Sequence, residues 1–131
     1  MIIEFFDFGY ISKMYSQLKT PLQKEIAKTF NSNYKCVASW LYCLTHLRNC
    51  CAHYSRIYNA KMISTPQTPN KYDWCFDNSL FSYVLVIREL LIGTNDWKEF
   101  VIQMEALIEE YKCDIELCRL GFKENWQDLL N

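Results

Sequence analysis

The sequence predicts an all-α protein, an antiparallel bundle of about five to six helices that forms one domain over residues 1–131. Three observations support this prediction. Half of the residues are apolar and 16% are aromatic, which is enough for a sizeable core. Only three Gly and three Pro occur, so turns are few and the elements between them are long. Apolar residues also recur at helical spacing along most of the chain.

Two short helices are predicted near the start. The first spans residues 8–18 and is expected to bury the face formed by Ile11, Met14, Tyr15 and Leu18. The second spans residues 21–30, with Thr20 as its cap and Pro21 in its first turn. Its inward residues are expected to be Leu22, Ile26 and Phe30, and its outward lysines Lys24 and Lys28.

The longest helix is predicted over residues 34–59. Its core stripe comprises Val37, Trp40, Leu41, Leu44 and Leu47. Three cysteines recur on it every seven residues, at Cys36, Cys43 and Cys50, and this spacing is typical of a buried stripe. The stretch 60–74 holds Pro66 and Pro69 and forms the one long loop, a kind of segment that is often functional or mobile.

A fourth helix is predicted to run to Ile92. Asp77 or Asn78 would cap it, and Gly93 would close it. Because residues 80–87 are apolar apart from Ser82, a buried strand is the alternative for this segment.

The last part of the chain is predicted to be helical as well. Thr94 or Asn95 opens a helix that continues to about Cys113. Its inward residues are expected to be Phe100, Met104, Leu107, Ile108 and Tyr111. Gly121 ends a short helical segment, and a final turn over residues 125–130 is expected to hold Trp126 against the body.

Cysteine usage indicates a reduced, cytosolic chain. The seven Cys are an odd number and none stand in a CxxC pair, so neither a disulfide scaffold nor a zinc site is expected. The first residues carry acids without a basic region, and Arg88 interrupts the longest apolar run, so we expect neither a signal peptide nor a membrane span. No cofactor is expected, because no Walker loop, dinucleotide-binding glycine turn, HExxH motif or nucleophile elbow is present.

The charges are distributed unevenly along the chain. Residues 11–62 carry eight basic residues against Glu25 alone, a balance of +7. Residues 71–131 carry six basic residues against twelve acidic ones, a balance of −6. The basic part could therefore face a polyanion such as RNA. Alternatively, its lysines simply coat the solvent-facing sides of helices.

The basic part also contains the residues that can do chemistry. Both histidines of the chain lie on the longest predicted helix, with two arginines and two tyrosines nearby. At 100° per residue, four polar side chains fall within an arc of about 80°, namely His46, Asn49, His53 and Arg56. Arg48 lies about 140° from His53 around the same axis. Cooperation between Arg48 and His53 would need a kink, a long arginine reach, or a second copy of the helix across a dimer axis.

A cleft with Arg and His suits RNA cleavage without a metal. An imidazole can take the proton from the ribose 2′-hydroxyl or give one to the leaving 5′-oxygen. A guanidinium can bind the phosphate oxygens as negative charge develops, and Asn49 could orient the histidine ring. The structural alternatives are a core His53 bonded to a backbone carbonyl, and Arg48 and Arg56 paired with acids of the C-terminal half.

Three segments resemble the Abi-like (abortive infection) family. The central and most specific one begins at Ser39-Trp40 and continues through Leu47-Arg48-Asn49, Ala52-His53 and Arg56-Ile57-Tyr58-Asn59. Phe8-Gly9 is similar to the family's entry segment, and Gly121-Phe122 with Asn125-Trp126 is similar to its closing segment. Two positions differ from the family patterns. Ile57 separates Arg56 from Tyr58, and Ser55 stands where a related toxin group has a modified tyrosine.

The resemblance implies a fold, an activity and a site. It implies a HEPN-like helical bundle that covers the C-terminal portion of the family, and a metal-independent endoribonuclease acting in phage defence or as a toxin. By the same resemblance Arg48 and His53 are the catalytic pair, with Asn49 as the polar residue after the arginine. The RNA-binding residues are expected to be His46, Arg56, Lys24, Lys28 and Tyr54. The expected partners are RNA, a second copy of the chain, and an antitoxin or regulatory protein.

Two other functions remain open from the sequence. The chain could be a non-catalytic helical module that binds RNA, nucleotides or a protein as a dimer. It could also be a helical oligomer in which the Arg and His side chains are structural.

Overall fold

The fold is all helical over the residues that the structure describes. The computed structural model describes residues 8–53, 61–62, 64–69, 71–72 and 74–130. Within them lie six α-helices and one 3₁₀-helix (Leu117–Leu120), and no strand. The α-helices are α1 (Phe8–Gln17), α2 (Thr20–Thr29), α3 (Tyr34–Ala52), α4 (Leu80–Leu91), α5 (Asn95–Glu110) and α6 (Trp126–Leu130). The all-α prediction is confirmed, and the strand alternative for residues 80–87 is wrong.

A polar link joins α1 to α2, and both helices pack against α3. The Tyr15 hydroxyl donates to the carbonyl of Gln23 at 2.9 Å, and the Gln23 amide donates to the carbonyl of Tyr15 at 2.8 Å. These two residues are buried together with Ala27. Because a small residue and a satisfied amide fill the contact, the larger apolar side chains of both helices are left outside.

The predicted buried faces of α1 and α2 are therefore partly wrong. Four side chains that were expected inside are exposed, namely Met14 (50%), Leu18, Leu22 (47%) and Ile26. Thr20 does not cap α2 either. Lys19 occupies the cap position in an extended conformation and provides no side-chain hydrogen bond, while Pro21 lies in the first turn as predicted.

Helix α3 is the central element. Asn33 caps it by accepting from the backbone N–H of Lys35 at 2.8 Å. Its inward face includes Val37, Trp40 and Cys43, all nearly inaccessible to solvent. The helix ends at Ala52 with His53 as its C-cap, and the predicted continuation to residue 59 falls on residues that are not described. Residues 54–60 lie outside the described part of the chain.

The long loop before α4 is attached to the body at several points. Trp40 donates its indole N–H to the carbonyl of Gln67 at 2.8 Å, and Ser39 accepts from the N–H of Gln67 at 3.0 Å. Tyr83 donates its hydroxyl to the carbonyl of Ser64 at 2.6 Å. The buried Trp40 and Tyr83 and the half-buried Ser39 therefore hold the backbone of this loop.

Helices α4 and α5 are connected through Gly93, which adopts the left-handed conformation predicted for a stop (φ 86°). Thr94 then caps α5 by accepting from the N–H of Trp97 at 3.1 Å. α5 buries Trp97 and Val101, whereas Leu107 (56%) and Tyr111 are exposed. The prediction that these last two point inward is wrong. Tyr111 lies beyond the last turn of α5 as its C-cap, and Leu107 lies within α5 but outside its buried face.

The C-terminal segment closes the core. Gly121 ends the 3₁₀-helix with φ 83°, as its position predicted. Phe122 contacts both Phe81 and Trp126, and Leu130 is fully buried and accepts from the indole of Trp97 at 3.1 Å. The expected docking of Trp126 onto the body is confirmed by its contacts with this cluster.

Candidate functional site

The predicted catalytic residues lie together at the C-terminal end of α3. Arg48 donates from Nη1 to the Asn49 amide oxygen at 3.4 Å, and both side chains are exposed. The backbone N–H of His53 donates to the carbonyl of Asn49 at 3.0 Å, and His53 is exposed as well. The end of one helix therefore presents a guanidinium, an amide and an imidazole to solvent.

The structural alternatives for two of these residues fail. His53 is not a core histidine, because its side chain is exposed at the helix end. Arg48 forms no ion pair with a carboxylate in the described part of the chain, so its charge is not neutralised there. Exposed groups without counter-ions are available to an anionic substrate.

One copy of α3 does not turn Arg48 and His53 to the same face. The helix is continuous from Tyr34 to Ala52, and at 100° per residue Arg48 and His53 are about 140° apart around its axis. A long arginine reach or a second copy of the chain would bring the two groups together.

His46 lies about half a turn before Arg48 and about two turns before His53, and its side chain is half-buried. Its ring meets Tyr42 edge-on, with centroids 4.7 Å apart. The Nε2 atom is buried and makes no hydrogen bond with any described group. His46 therefore borders the exposed helix end, with one ring nitrogen shielded from solvent.

The two predicted RNA-binding lysines lie at the other end of α3. The Lys24 ammonium is 5.6 Å from the ring centroid of Tyr34, the first residue of α3. Lys28 stands one turn further along α2 and lines a polar cavity. From Tyr34 to Arg48 the helix rises by about 21 Å, so the structure separates these lysines from the catalytic residues. The remaining predicted RNA-binding residues, Tyr54 and Arg56, lie outside the described residues.

A buried charge cluster joins the long loop to α4 and was not predicted from the sequence. Glu89 is 3% exposed, and its carboxylate accepts from the Tyr72 hydroxyl at 2.8 Å and pairs with Lys71 at 2.5 Å and Arg88 at 3.1 Å. Burial, followed by the hydrogen bond to Glu89 and its charge, raises the pKa of Tyr72 well above its usual value. The signal in the sequence was a single acid, next to Arg88, in the largely apolar helix α4.

These features define an all-α protein with an exposed Arg, Asn and His at the end of its central helix. Residues 1–59 match the model of the Abi-like protein family. The match covers the segment that carries α1, α2 and α3, and it agrees with the resemblance seen in the sequence. No curated protein and no solved structure matches the chain.

The structure also bears on membranes and metals. No helix within the described ranges is both long and apolar enough to cross a bilayer. All seven cysteines are free thiols, and no three His, Cys, Asp or Glu side chains among the described residues come together as metal ligands.

Proposed function

We propose that this chain is a metal-independent endoribonuclease of the HEPN superfamily that acts in the cytoplasm, in phage defence or as a toxin. The observation that carries the proposal is the exposure of Arg48, Asn49 and His53 on one helix end without a neutralising carboxylate in the described chain. The match of residues 1–59 to the Abi-like family model supports the role in abortive infection.

The chemistry follows from the three side chains. The His53 imidazole takes the proton from the ribose 2′-hydroxyl, and the 2′-oxygen forms a new bond to phosphorus. The bond to the 5′-oxygen breaks, and that oxygen receives a proton from water. Arg48 binds the phosphate oxygens as their charge grows, while Asn49 holds the guanidinium through the contact at 3.4 Å. The products are a 2′,3′-cyclic phosphate and a 5′-hydroxyl.

A second copy of the chain would complete the site. Because a continuous α3 directs Arg48 and His53 to different faces, an isologous contact around this helix lets the arginine of one copy meet the histidine of the other. Two symmetric sites, each with one arginine and one histidine, would result. The active form is accordingly a homodimer.

The first experiment tests cleavage. Wild-type protein is incubated with RNA in excess EDTA beside the Arg48→Ala, His53→Ala and Arg119→Ala variants. Arg119 is the matched control, because it is a partly exposed arginine paired with Glu116 and distant in sequence from the site. Wild type and the control should cut, and the two site variants should not. A 2′-deoxy substitution at the cleaved nucleotide should block the reaction. Equal cutting by all four proteins would refute the assignment.

The second experiment tests the composite site. Arg48→Ala and His53→Ala proteins are mixed in equal amounts and allowed to exchange subunits. Each heterodimer then contains one complete site and one doubly defective site, so about a quarter of wild-type activity should return. If the mixture regains no cleavage activity while wild-type protein treated in the same way keeps its activity, Arg48 and His53 of one site come from the same chain.

The alternative function is a non-catalytic module that binds RNA or a protein as a dimer. The exposed apolar side chains of α1 and α2, Met14, Leu18, Leu22 and Ile26, favour it because such a surface suits a partner. RNA binding by wild type and all variants, with no cleavage by any of them, would support this alternative.

A further inference from the structure

A polar cavity of about 470 Å³ lies between the α2–α3 turn and the loop before α4. Its walls come from Lys28, Asn31 and Ser32 on one side and from Gln67, Thr68 and Lys71 on the other. Its volume falls within the range of ligand sites. From Cys36, which also lines it, to Arg48 the helix rises by about 18 Å, so the cavity is separate from the catalytic end of α3.

The cavity is positively charged. Lys28 and Lys71 enter from different elements, and none of the described lining residues is acidic. Lys28 makes no ion pair within the described part of the protein. Lys71 forms an ion pair with the buried carboxylate of Glu89, and its side chain is 53% exposed. Since the ammonium has three donors and Glu89 uses one side of it, Lys71 keeps donors for a ligand.

The remaining lining groups are neutral and suit phosphate oxygens better than a nucleobase. Asn31, Ser32 and Gln67 carry side-chain N–H or O–H donors. No aromatic ring of a described residue lines the cavity, so it offers no surface on which a base could stack. The Asn33 side chain caps the N-terminus of α3 by accepting from the backbone N–H of Lys35.

Hydrogen bonds hold the loop wall at Gln67 and Thr68. Gln67 is fixed through its backbone by Ser39 and Trp40, the residues that begin the family-like segment. The Thr68 hydroxyl accepts from the backbone N–H of Phe76 at 2.7 Å. Because buried groups hold the wall, a ligand would find the donors already in place.

We propose that this cavity binds a backbone phosphate of the same RNA strand whose scissile phosphate lies at Arg48 and His53. The proposal rests on RNA being the substrate, as in the proposed function. A second phosphate contact this far from the reaction centre fixes the strand along α3 and adds affinity without sequence preference. RNA too short to span both points gains nothing from the cavity.

The test uses RNA that cannot be cut, so that binding is measured independently of catalysis. Fully 2′-O-methylated oligonucleotides of increasing length are titrated by fluorescence anisotropy at several salt concentrations. The variants are Lys28→Glu and the milder Lys28→Gln, and the matched control is Lys13→Glu, an exposed lysine of α1 away from the cavity. Circular dichroism confirms that each variant is folded.

Long RNA should bind about tenfold more weakly to Lys28→Glu, with a salt slope reduced by about one. Lys28→Gln should show a smaller loss of the same kind, and the shortest RNA should bind all proteins alike. The control should lose much less affinity. Equal losses for Lys28→Glu and Lys13→Glu would overturn the proposal, because they would report overall charge only.

A parallel titration with inorganic phosphate and adenosine monophosphate separates the sources of the phosphate. Tight binding of either small ligand, with long-RNA affinity unchanged in Lys28→Glu, would overturn the RNA assignment in favour of a nucleotide-sized ligand. A Lys28-specific loss in binding of uncut RNA, together with no cleavage of ordinary RNA by wild type, would support the cavity while refuting the nuclease. The two proposals can therefore fail separately.

Discussion

The indole N–H of Trp40 donates to the backbone carbonyl of Gln67 across 2.8 Å, from a ring that is fully buried. Trp40 lies on α3 and Gln67 lies 27 residues later in the loop before α4. The contact thus joins the central helix to the loop that forms one wall of the polar cavity. Ser39 reinforces it by accepting from the N–H of the same residue.

We predict that Trp40→Phe destabilises the protein by about 2 to 3 kcal/mol, because it removes a hydrogen-bond donor and leaves a small void in the core. Urea denaturation followed by far-UV circular dichroism measures the loss. The matched control is Trp126→Phe, at a half-buried ring that contacts Phe122, and its loss should be clearly smaller. Equal losses would mean that packing alone explains the role of Trp40.

Gly121 should not tolerate a side chain. At φ 83° an alanine is strained, and its Cβ would overlap the side chain of Ser79. Gly93→Ala is the control, because φ is similar (86°) but nothing lies within 4 Å of the added atom. We expect Gly93→Ala to cost about 1 kcal/mol from backbone strain and Gly121→Ala to cost about 2 kcal/mol more from overlap. Similar melting temperatures for the two variants would contradict this.

Replacing the buried Glu89 by Gln should also destabilise the fold. The variant loses the charge that pairs with Lys71 and Arg88 and weakens the bond from Tyr72. Removing one partner of a buried charged cluster typically costs about 3 kcal/mol. Glu109→Gln, at an exposed acid that pairs with Lys112, should change stability little. A Glu89→Gln protein as stable as wild type would show that the cluster contributes no net stability.

Asp77 should make stability sensitive to acid. Burial alone would raise its pKa, but hydrogen bonds from Ser79 and Ser82 outweigh burial and hold the pKa below the usual 3.8. A carboxylate whose pKa is depressed by folding stabilises the fold at pH values above its unfolded-state pKa of 3.8. That stability is lost as the pH falls through the folded-state pKa. Asp77→Asn, which does not titrate, should therefore lose less stability than wild type when the pH is lowered from 5 towards about 2. Parallel stability curves would contradict the prediction.

The catalytic candidates should be dispensable for folding. Arg48 and His53 are exposed at the end of α3, where substitutions usually change the free energy of unfolding by less than about 0.5 kcal/mol. Differential scanning calorimetry of Arg48→Ala and His53→Ala should give melting temperatures close to that of wild type. A large drop for either variant would indicate a structural role.

The helices could be predicted from the sequence because their signals are local. Gly93 and Gly121 mark helix ends through their backbone freedom, and both adopt the left-handed conformation. Thr94 caps α5 as predicted, but Ser79 takes the cap position of α4 that was predicted for Asp77 or Asn78. None of these signals depends on the tertiary packing of the chain.

The choice of buried face could not be predicted in the same way. Leu22 and Ile26 form an apolar pair on α2, yet Gln23 and Ala27 take the contact with α3 because Tyr15 satisfies the Gln23 amide. That exchange of hydrogen bonds joins residues of two helices and has no periodic pattern. Apolar spacing on a short helix therefore identified the helix but not its orientation.

For the candidate site, the sequence predicted the cluster at the end of α3 but not the polar cavity. Arg48, Asn49 and His53 lie within six consecutive residues, so one motif contains them all. Lys28 and Lys71 are far apart in the sequence and meet at one cavity only because Gln67 is tied to α3. Long-range contacts of this kind do not appear in a linear pattern.

Four of the seven thiols, Cys51, Cys75, Cys113 and Cys118, lie on the surface. In aerated buffer such groups can oxidise and link copies covalently, while the buried Cys36 and Cys43 stay reduced because burial raises the pKa of both thiols. A dimer band on a gel that disappears with dithiothreitol would then report air oxidation and not the proposed pairing of α3. Purification under reductant keeps the subunit-mixing experiment interpretable.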